Sequence, residues 1–163
     1  MYLASGCFWG REFHFRQLNG VLSTRTGFMG GVLPNPTYEQ VCTDKTGHAE
    51  TVEVVYDIRK LTTRQLLTEF FLLHDFTRDR SGQGGQYRSV IFIPAAGPQA
   101  PEQHETAADI ISLLNANGYP PATKVQTGCR FYAAANRHQQ YCSAKGIHPK
   151  KRENEEVSEI LTF

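Results

Sequence analysis

The sequence predicts an α/β or α+β domain built around a mixed β-sheet, and three observations carry that expectation. Its 163 residues fit one ordinary domain. Stretches in which apolar residues alternate interleave with stretches in which they recur every three or four positions. In two places one strand pattern follows another with no clear helix between, so the sheet is expected to mix parallel and antiparallel pairs. A 40% hydrophobic content lets a chain of this length bury about two-thirds of its unfolded surface, enough for a core without staples.

Taken in order, Tyr2 to Ser5 reads as a short strand running into Gly6-Cys7, and Phe8 to Leu18 as a helix. Gly27 to Gly47 is rich in Gly, Pro, Asn and Thr and reads as one long loop, a length that is usually functional in a compact domain. Glu50 to Tyr56 alternates, with Val52, Val54 and Tyr56 on one face, which is a strand. Thr62-x-x-Gln65 is a capping box in front of Leu66, Leu67, Phe70, Phe71 and Leu73, the stripe of an amphipathic helix. After a second loop, His74 to Gln86, the apolar run Val90 to Ile93 suits a strand buried on both faces. Ala107, Ile110, Ile111 and Leu114 mark a helix that stops at Gly118. Thr123 to Phe131 alternates again, and a last helix is expected over Ala134 to Lys145. From about residue 147 onward the chain reads as a solvated tail, and residues 1–163 as a single catalytic domain.

Charge and composition exclude several functions. Lys plus Arg number 17 against 16 Asp plus Glu, a net charge of +1, which argues against nucleic acid or a membrane surface as partner. Lys150-Lys151-Arg152 is followed at once by Glu153, Glu155 and Glu156, so its field is expected to cancel locally. No apolar run approaches the roughly 18 residues needed to span a bilayer. With Met1 six residues before the first motif, a cytoplasmic, monomeric product is the expectation. The cysteines at 7, 42, 129 and 142 form no Cys-x-x-Cys pair, which disfavours zinc. Their value is expected to be chemical.

Cys7 stands out first. A strand, a glycine and a helix N-terminus place its sulfur among unsatisfied backbone N–H groups, where a thiolate is favoured. Phe8 and Trp9 then form an apolar wall beside it, although a small core cysteine with two core aromatics would give the same pattern.

Gly6-Cys7-Phe8-Trp9-Gly10 with Glu12 resembles the signature of the peptide methionine sulfoxide reductase A family. The resemblance continues, in the family's order, through Pro36-Thr37-Tyr38-Glu39-Gln40-Val41-Cys42, Thr46-Gly47-His48-Ala49-Glu50, Gln86-Tyr87-Arg88-Ser89 and His138-Gln139-Gln140-Tyr141. It implies a split βαβ, ferredoxin-like core flanked by helices. The implied activity is thiol-dependent reduction of methionine S-sulfoxide, free or in proteins, through a Cys7 sulfenic acid recycled by thioredoxin or a small dithiol. No metal or organic cofactor is implied.

The matching residues suit that chemistry. A thiolate attacking sulfur needs the leaving oxygen protonated or strongly hydrogen-bonded. Glu50 shares its parity with Val52 and Val54, so it is expected on the apolar face with a raised pKa that keeps a proton available. The resemblance promotes the Tyr38 and Tyr87 hydroxyls to a grip on the sulfoxide oxygen, and Phe8 and Trp9 to a pocket for the methyl group. Cys42 matches a position the family leaves unused, and His48 is either a packing or an orienting residue.

Three departures stand out. The stretch Ser81-Gly82-Gln83-Gly84-Gly85 lacks the loop aspartate the resemblance implies, a role left vacant or taken by Asp79. Ala135 replaces a glutamate three residues before His138, and residues 150–163 hold no recycling cysteine. Cys142 is then the leading candidate to resolve the sulfenic acid, four residues from His138 on the expected helix. Cys129 and direct attack by an external thiol are the alternatives. The rival class is a Cys-His acyl-transfer enzyme using Cys7 with His138 or His48 as base.

Overall fold

The computed structural model describes residues 1–162. Six strands form one sheet: β1 (Tyr2–Ser5), β2 (Val21–Met29), β3 (Ala49–Tyr56), β4 (Ser89–Ile93), β5 (Lys124–Thr127) and β6 (Tyr132–Ala133). Six helices accompany them: α1 (Phe8–Arg16), α2 (Tyr38–Val41), α3 (Thr63–Leu72), α4 (Ala100–Ala116), α5 (Tyr141–Lys145) and α6 (Glu155–Leu161). The strand order is β5-β4-β1-β3-β2-β6, antiparallel throughout except for the parallel β4–β5 pair.

Strands β1 and β2, joined through α1, run the same way with β3 between them, and β3 and β4, joined through α3, do so with β1 between them. These are two interlocked split βαβ units, the ferredoxin-like core expected from the sequence. The α4 crossover adds β5 beside β4, which accounts for the one parallel pair.

Alternation along β1 divides the sheet into two faces. Leu3 joins Val52, Val54, Ile91 and Ile93 in the main core beneath α1, α3 and α4, while Ala4 joins Met29, Ala49, Val90 and Phe92 in a smaller cluster. All five residues of β4 are buried, as its apolar run predicts. Both sides of the Thr62/Gln65 capping box are formed at the start of α3.

Several expectations are corrected. Residues 21–29, part of which reads as loop, form β2, whose buried positions include Thr24 and Thr26 and whose pairing slips between Val21 and Ser23. Hydroxyls in place of apolar residues and a bulge hide the alternation. The strand expected over Thr123 to Phe131 is broken by Gly128, whose φ of 73° lies in the left-handed region.

The helix expected over Ala134 to Lys145 breaks into a 3-10 turn at Asn136–His138 and α5. Residues 134–139 are held along β2 instead: the Ala134 N–H donates to Thr26 O, and the Gln139 side chain accepts from Thr26 N and donates to Thr26 O. Gln140 then adopts a left-handed conformation, with its N–H donating to the buried carboxylate of Glu12. His138 and Cys142 therefore do not share a helical face.

The solvated tail is also corrected. Asn154 caps α6, and Val157 and Leu161 are buried against the α3–α4 layer. Among the described residues no helix is long and apolar enough to cross a membrane.

Candidate active site

At one end of the sheet the C-terminus of β1 lies beside the N-termini of β3 and β4, with Ser5 paired to Ser89. Ser5, Glu50 and Ser89 are buried there on the helix-covered face, in step with Leu3, Val52 and Ile91. Gly6 makes the turn from β1 into α1 at φ 117°, a conformation that L side chains rarely adopt. Cys7 follows as the N-cap of α1, exposed to solvent.

The strand parity of Glu50 is as expected: its side chain is 1% exposed. Oε1 accepts from the Phe8 backbone N–H at 3.1 Å, and Oε2 from Gln86 Nε2 at 2.5 Å. The Glu50 N–H in turn donates to Gln86 O, so Gln86 fixes both the backbone and the carboxyl of Glu50. Burial raises the carboxyl pKa to about 7, against the two hydrogen bonds, which lower it. Such a group can hold or give up a proton near neutrality.

Cys7 departs from expectation. Although the residue keeps contact with solvent, the protein packed around its sulfur, and then the nearby Glu50 carboxylate, push the pKa up, against the N–H groups of Trp9 and Gly10 and the charge of Arg11, which favour the thiolate. The resting group is a thiol. The dipole of a helix end is worth too little to offset the low-dielectric surroundings and a like charge.

Tyr38 and Tyr87 stand near the same carboxyl. Burial raises both phenols; Cys42 and then Glu50 add to the rise at Tyr38, while Glu50 and Cys7 take Tyr87 to about 12. Both hydroxyls therefore keep their protons and can donate. Thr37 and Gln40 form a reciprocal capping box that orients α2 and with it Tyr38. Asp79 lines a cavity of about 500 Å³ with Gln86 and Tyr87, but its carboxylate accepts from the Ser81 N–H in an exposed loop.

The aromatic wall is built in layers. Trp9 stacks on Tyr141 at 3.9 Å and faces Tyr38 at 6.0 Å. Phe8 is fully buried, so its ring backs Tyr38 and Trp9 and packs on Phe28 instead of presenting a surface. Its backbone N–H donates to Glu50.

Neither histidine proposed as an acyl-transfer base is hydrogen-bonded to Cys7. His138 Nδ1 accepts from Trp9 Nε1 at 3.1 Å, and burial holds the imidazole neutral, so the proton sits on Nε2. His48 accepts from the Gly31 N–H through Nδ1, which leaves Nε2 to donate to Leu33 O, and thereby ties down the loop before Tyr38. Cys142 is buried, with Sγ donating to Trp9 O at 3.4 Å, and burial followed by the nearby Glu12 raises its pKa.

The family's sequence pattern, described as peptide methionine sulfoxide reductase, matches residues 1–160. The chain belongs to the peptide methionine sulfoxide reductase family. It is 44% identical over 149 residues to peptide methionine sulfoxide reductase MsrA of Acidobacterium capsulatum, spanning 88% of this chain and 92% of that one. It is 42% identical to the human mitochondrial peptide methionine sulfoxide reductase, over 85% of this chain and 60% of the relative. Methionine sulfoxide reductase A of Corynebacterium diphtheriae superposes with a TM-score of 0.76 at 34% identity, over 91% of this chain and 76% of the other. Reduced Mxr1 of Saccharomyces cerevisiae gives 0.75 at 28% identity, over 93% and 91%.

Two residues of this reductase site carry more structure than their sequence suggests. Gln86 sits in a quoted motif, yet only the structure assigns it the clamp on Glu50. Glu12 is buried, accepting from Thr24 Oγ1 and Gln140 N. The spacing Phe8, Glu12, Phe15 does put Glu12 on the apolar face of α1, which, beside its place in the resemblance, is the signal that points to it.

Proposed function

We propose that the chain reduces methionine S-sulfoxide, free or in polypeptides, with Cys7 as nucleophile and Glu50 as the acid serving the leaving oxygen. The observation that carries this reading is the buried Glu50 carboxyl, with a pKa of about 7, on the backbone N–H of the residue after Cys7. Sulfoxide oxygen is a poor leaving group until protonated, and a carboxyl poised at neutrality is suited to supply the proton.

In the proposed step the Cys7 sulfur attacks the sulfoxide sulfur while Glu50 and the Tyr38 and Tyr87 hydroxyls bind the oxygen. An S–S bond forms as the protonated oxygen leaves as water, and a water molecule then cleaves the resulting sulfonium at the Cys7 sulfur, giving methionine, a Cys7 sulfenic acid and a proton; the substrate sulfur gains the two electrons that Cys7 loses. Trp9 and Tyr38, backed by Phe8, take the methyl group, since a thioether carbon packs well on aromatic faces. The atom balance calls for no metal or organic cofactor. The epimers provide the test: with dithiothreitol as reductant, the S-sulfoxide is reduced and the R-sulfoxide is a poor substrate. Equal rates on both would overturn the pocket.

A thiol must then attack the Cys7 sulfur, forming a disulfide as the sulfenic acid's oxygen leaves as water, and thioredoxin or a small dithiol reduces that disulfide. Cys142, anchored on the carbonyl of Trp9, is proposed as that internal thiol, and α5 must open for it to reach Cys7 because its sulfur is buried. A monomer acting in the cytoplasm completes the reading.

A further inference from the structure

A cleft of about 530 Å³ is lined by Ser5 and Tyr87 but by none of the aromatic-wall residues Trp9, Tyr38 and Tyr141. Its rim brings six cations together from three distant segments: Arg11 of α1, Arg78 and Arg80 before β4, and Lys150, Lys151 and Arg152 before α6. Asp75 is the one carboxylate lining it. Among the described residues, Lys151 is the one of the six cations held in an ion pair, with Glu69. Glu153 and Glu155, which follow the basic run in sequence, do not line this cleft but a separate groove shared with Lys151 and Arg152. The folded chain thus uncovers a field that the sequence conceals.

The cations come close to the nucleophile. A Cβ placed on Gly6 would lie 3.3 Å from Nη2 of Arg11 and 3.8 Å from Nη1 of Arg80, so two guanidinium groups bracket the residue before Cys7. Arg11 Nε donates to the Ser5 carbonyl and hydroxyl, both neutral, and Arg80 lies over the Tyr87 ring. The cleft's imidazole does not add to the charge: His74 is neutral, donating to Phe70 O and accepting from Ser89 Oγ. Burial lowers the Arg11 pKa, and Arg80 and Arg152 lower it further. Like charges gathered with one carboxylate among them are costly, and an anionic ligand relieves that cost.

We infer that this cleft binds the acidic flanks of a polypeptide substrate, so that oxidised methionines beside Asp or Glu residues are reduced preferentially. Cations spread over three segments match carboxylates spaced along an extended chain, whose alternate side chains point to one side. Trp9, Tyr38 and Tyr141 of the aromatic wall do not line the cleft, whose Arg11 and Arg80 reach Gly6 beside the nucleophile, so a bound sulfoxide can sit at the sulfur while its neighbours enter the cleft. This inference rests on the proposed reductase activity, which the test separates from it.

Two peptides carry a central methionine S-sulfoxide, one flanked by Asp and Glu and the other by Ser and Asn, with dithiothreitol, a neutral reductant, in excess. At low salt kcat/KM for the acidic peptide should exceed that for the neutral one by about tenfold, mainly through KM, as expected for two or three partly exposed charge pairs. The ratio should fall toward one at high salt and in Arg78→Gln/Lys150→Gln, and below one in Arg78→Glu/Lys150→Glu. A ratio near one in the wild type, or one that the variants leave unchanged, would overturn the inference. So would variants that weaken only the use of an anionic tripeptide thiol, which would assign the cleft to the reductant. Fluorescence anisotropy with a labelled acidic peptide bearing norleucine at the centre reads the cleft without turnover. Charge-dependent binding with neither sulfoxide reduced would defeat the reductase reading and leave the cleft standing; equal reduction of both peptides would do the reverse.

Discussion

Glu50 accepts a hydrogen bond from the backbone N–H of Phe8 at 3.1 Å, so the first free donor of α1 is satisfied by the carboxyl that sits beside the Cys7 thiol. One contact ties the acid to the nucleophile through a single peptide unit. Because the carboxyl is fully enclosed, its protonation is coupled both to folding and to the reactivity of Cys7.

The folding coupling has a definite sign. Glu50's pKa rises from 4.5 to about 7 in the folded chain, so its stabilising contribution is fully present below about pH 4.5 and is lost as pH rises through about 7. Glu50→Gln removes this dependence. Its stability relative to wild type, measured by urea denaturation, should be about 3 kcal/mol more favourable at pH 8 than at pH 4. An offset that does not vary with pH would mean Glu50 is not held protonated by the fold.

The same pair shapes the pH profile of a single turnover. The competent state holds one proton between Cys7 and Glu50: two protons silence the nucleophile, and none leaves the oxygen without an acid. The rate should therefore rise through about pH 7 and fall only in the alkaline range, where the raised Cys7 thiol titrates. Gln86→Leu deletes a hydrogen bond that lowers the Glu50 pKa, so the acid limb should move to higher pH. Rapid-quench measurements across pH would check both shifts, and a rate that is flat between pH 6 and pH 9 would contradict them.

Recycling tests the buried thiol. Without reductant, one equivalent of sulfoxide should yield a Cys7–Cys142 disulfide on peptide mapping, formed more slowly than methionine because α5 must open. Cys142→Ser should keep the first turnover and lose thioredoxin-dependent cycling. Full cycling in that variant would assign the step to an external thiol or to another cysteine.

The C-terminal helix makes a structural prediction. Leu161 is buried against the α3–α4 layer, so Leu161→Ala should cost about 2–5 kcal/mol by denaturation. A loss under about 0.5 kcal/mol would restore the solvated-tail expectation.

What was legible in the sequence followed local rules. The parity of Glu50 with Val52 and Val54, the Thr62/Gln65 cap and the apolar run of β4 each report a fold-level fact through neighbours a few residues away. What was not legible depends on distant partners. Thr24 and Thr26 are buried because Glu12 and residues 138–139 satisfy them, which no alternation within β2 reveals. Residues 134–139 have a helical pattern, but hydrogen bonds from Ala134 and the Gln139 side chain to Thr26 hold the segment's two ends to β2, leaving room for a single 3-10 turn at Asn136–His138, and tertiary bonding overrides a weak propensity. The Cys7 pKa was misjudged for a related reason: the helix end is visible in the sequence, the enclosing protein and the Glu50 charge are not. Lys150 to Arg152 meet Arg11, Arg78 and Arg80 only after folding.

The central claim is that Cys7 itself is oxidised to a sulfenic acid as methionine sulfoxide is reduced, and one single-turnover measurement addresses it directly. Cys142→Ser, freed of reductant, is mixed with one equivalent of an S-sulfoxide peptide and dimedone, and the products are mapped by mass spectrometry. The account predicts one methionine formed per chain and one dimedone adduct, on Cys7, with neither appearing when Cys7→Ser is added to the same background. Methionine formed in the Cys7→Ser chain, or an adduct on a different cysteine, would contradict it.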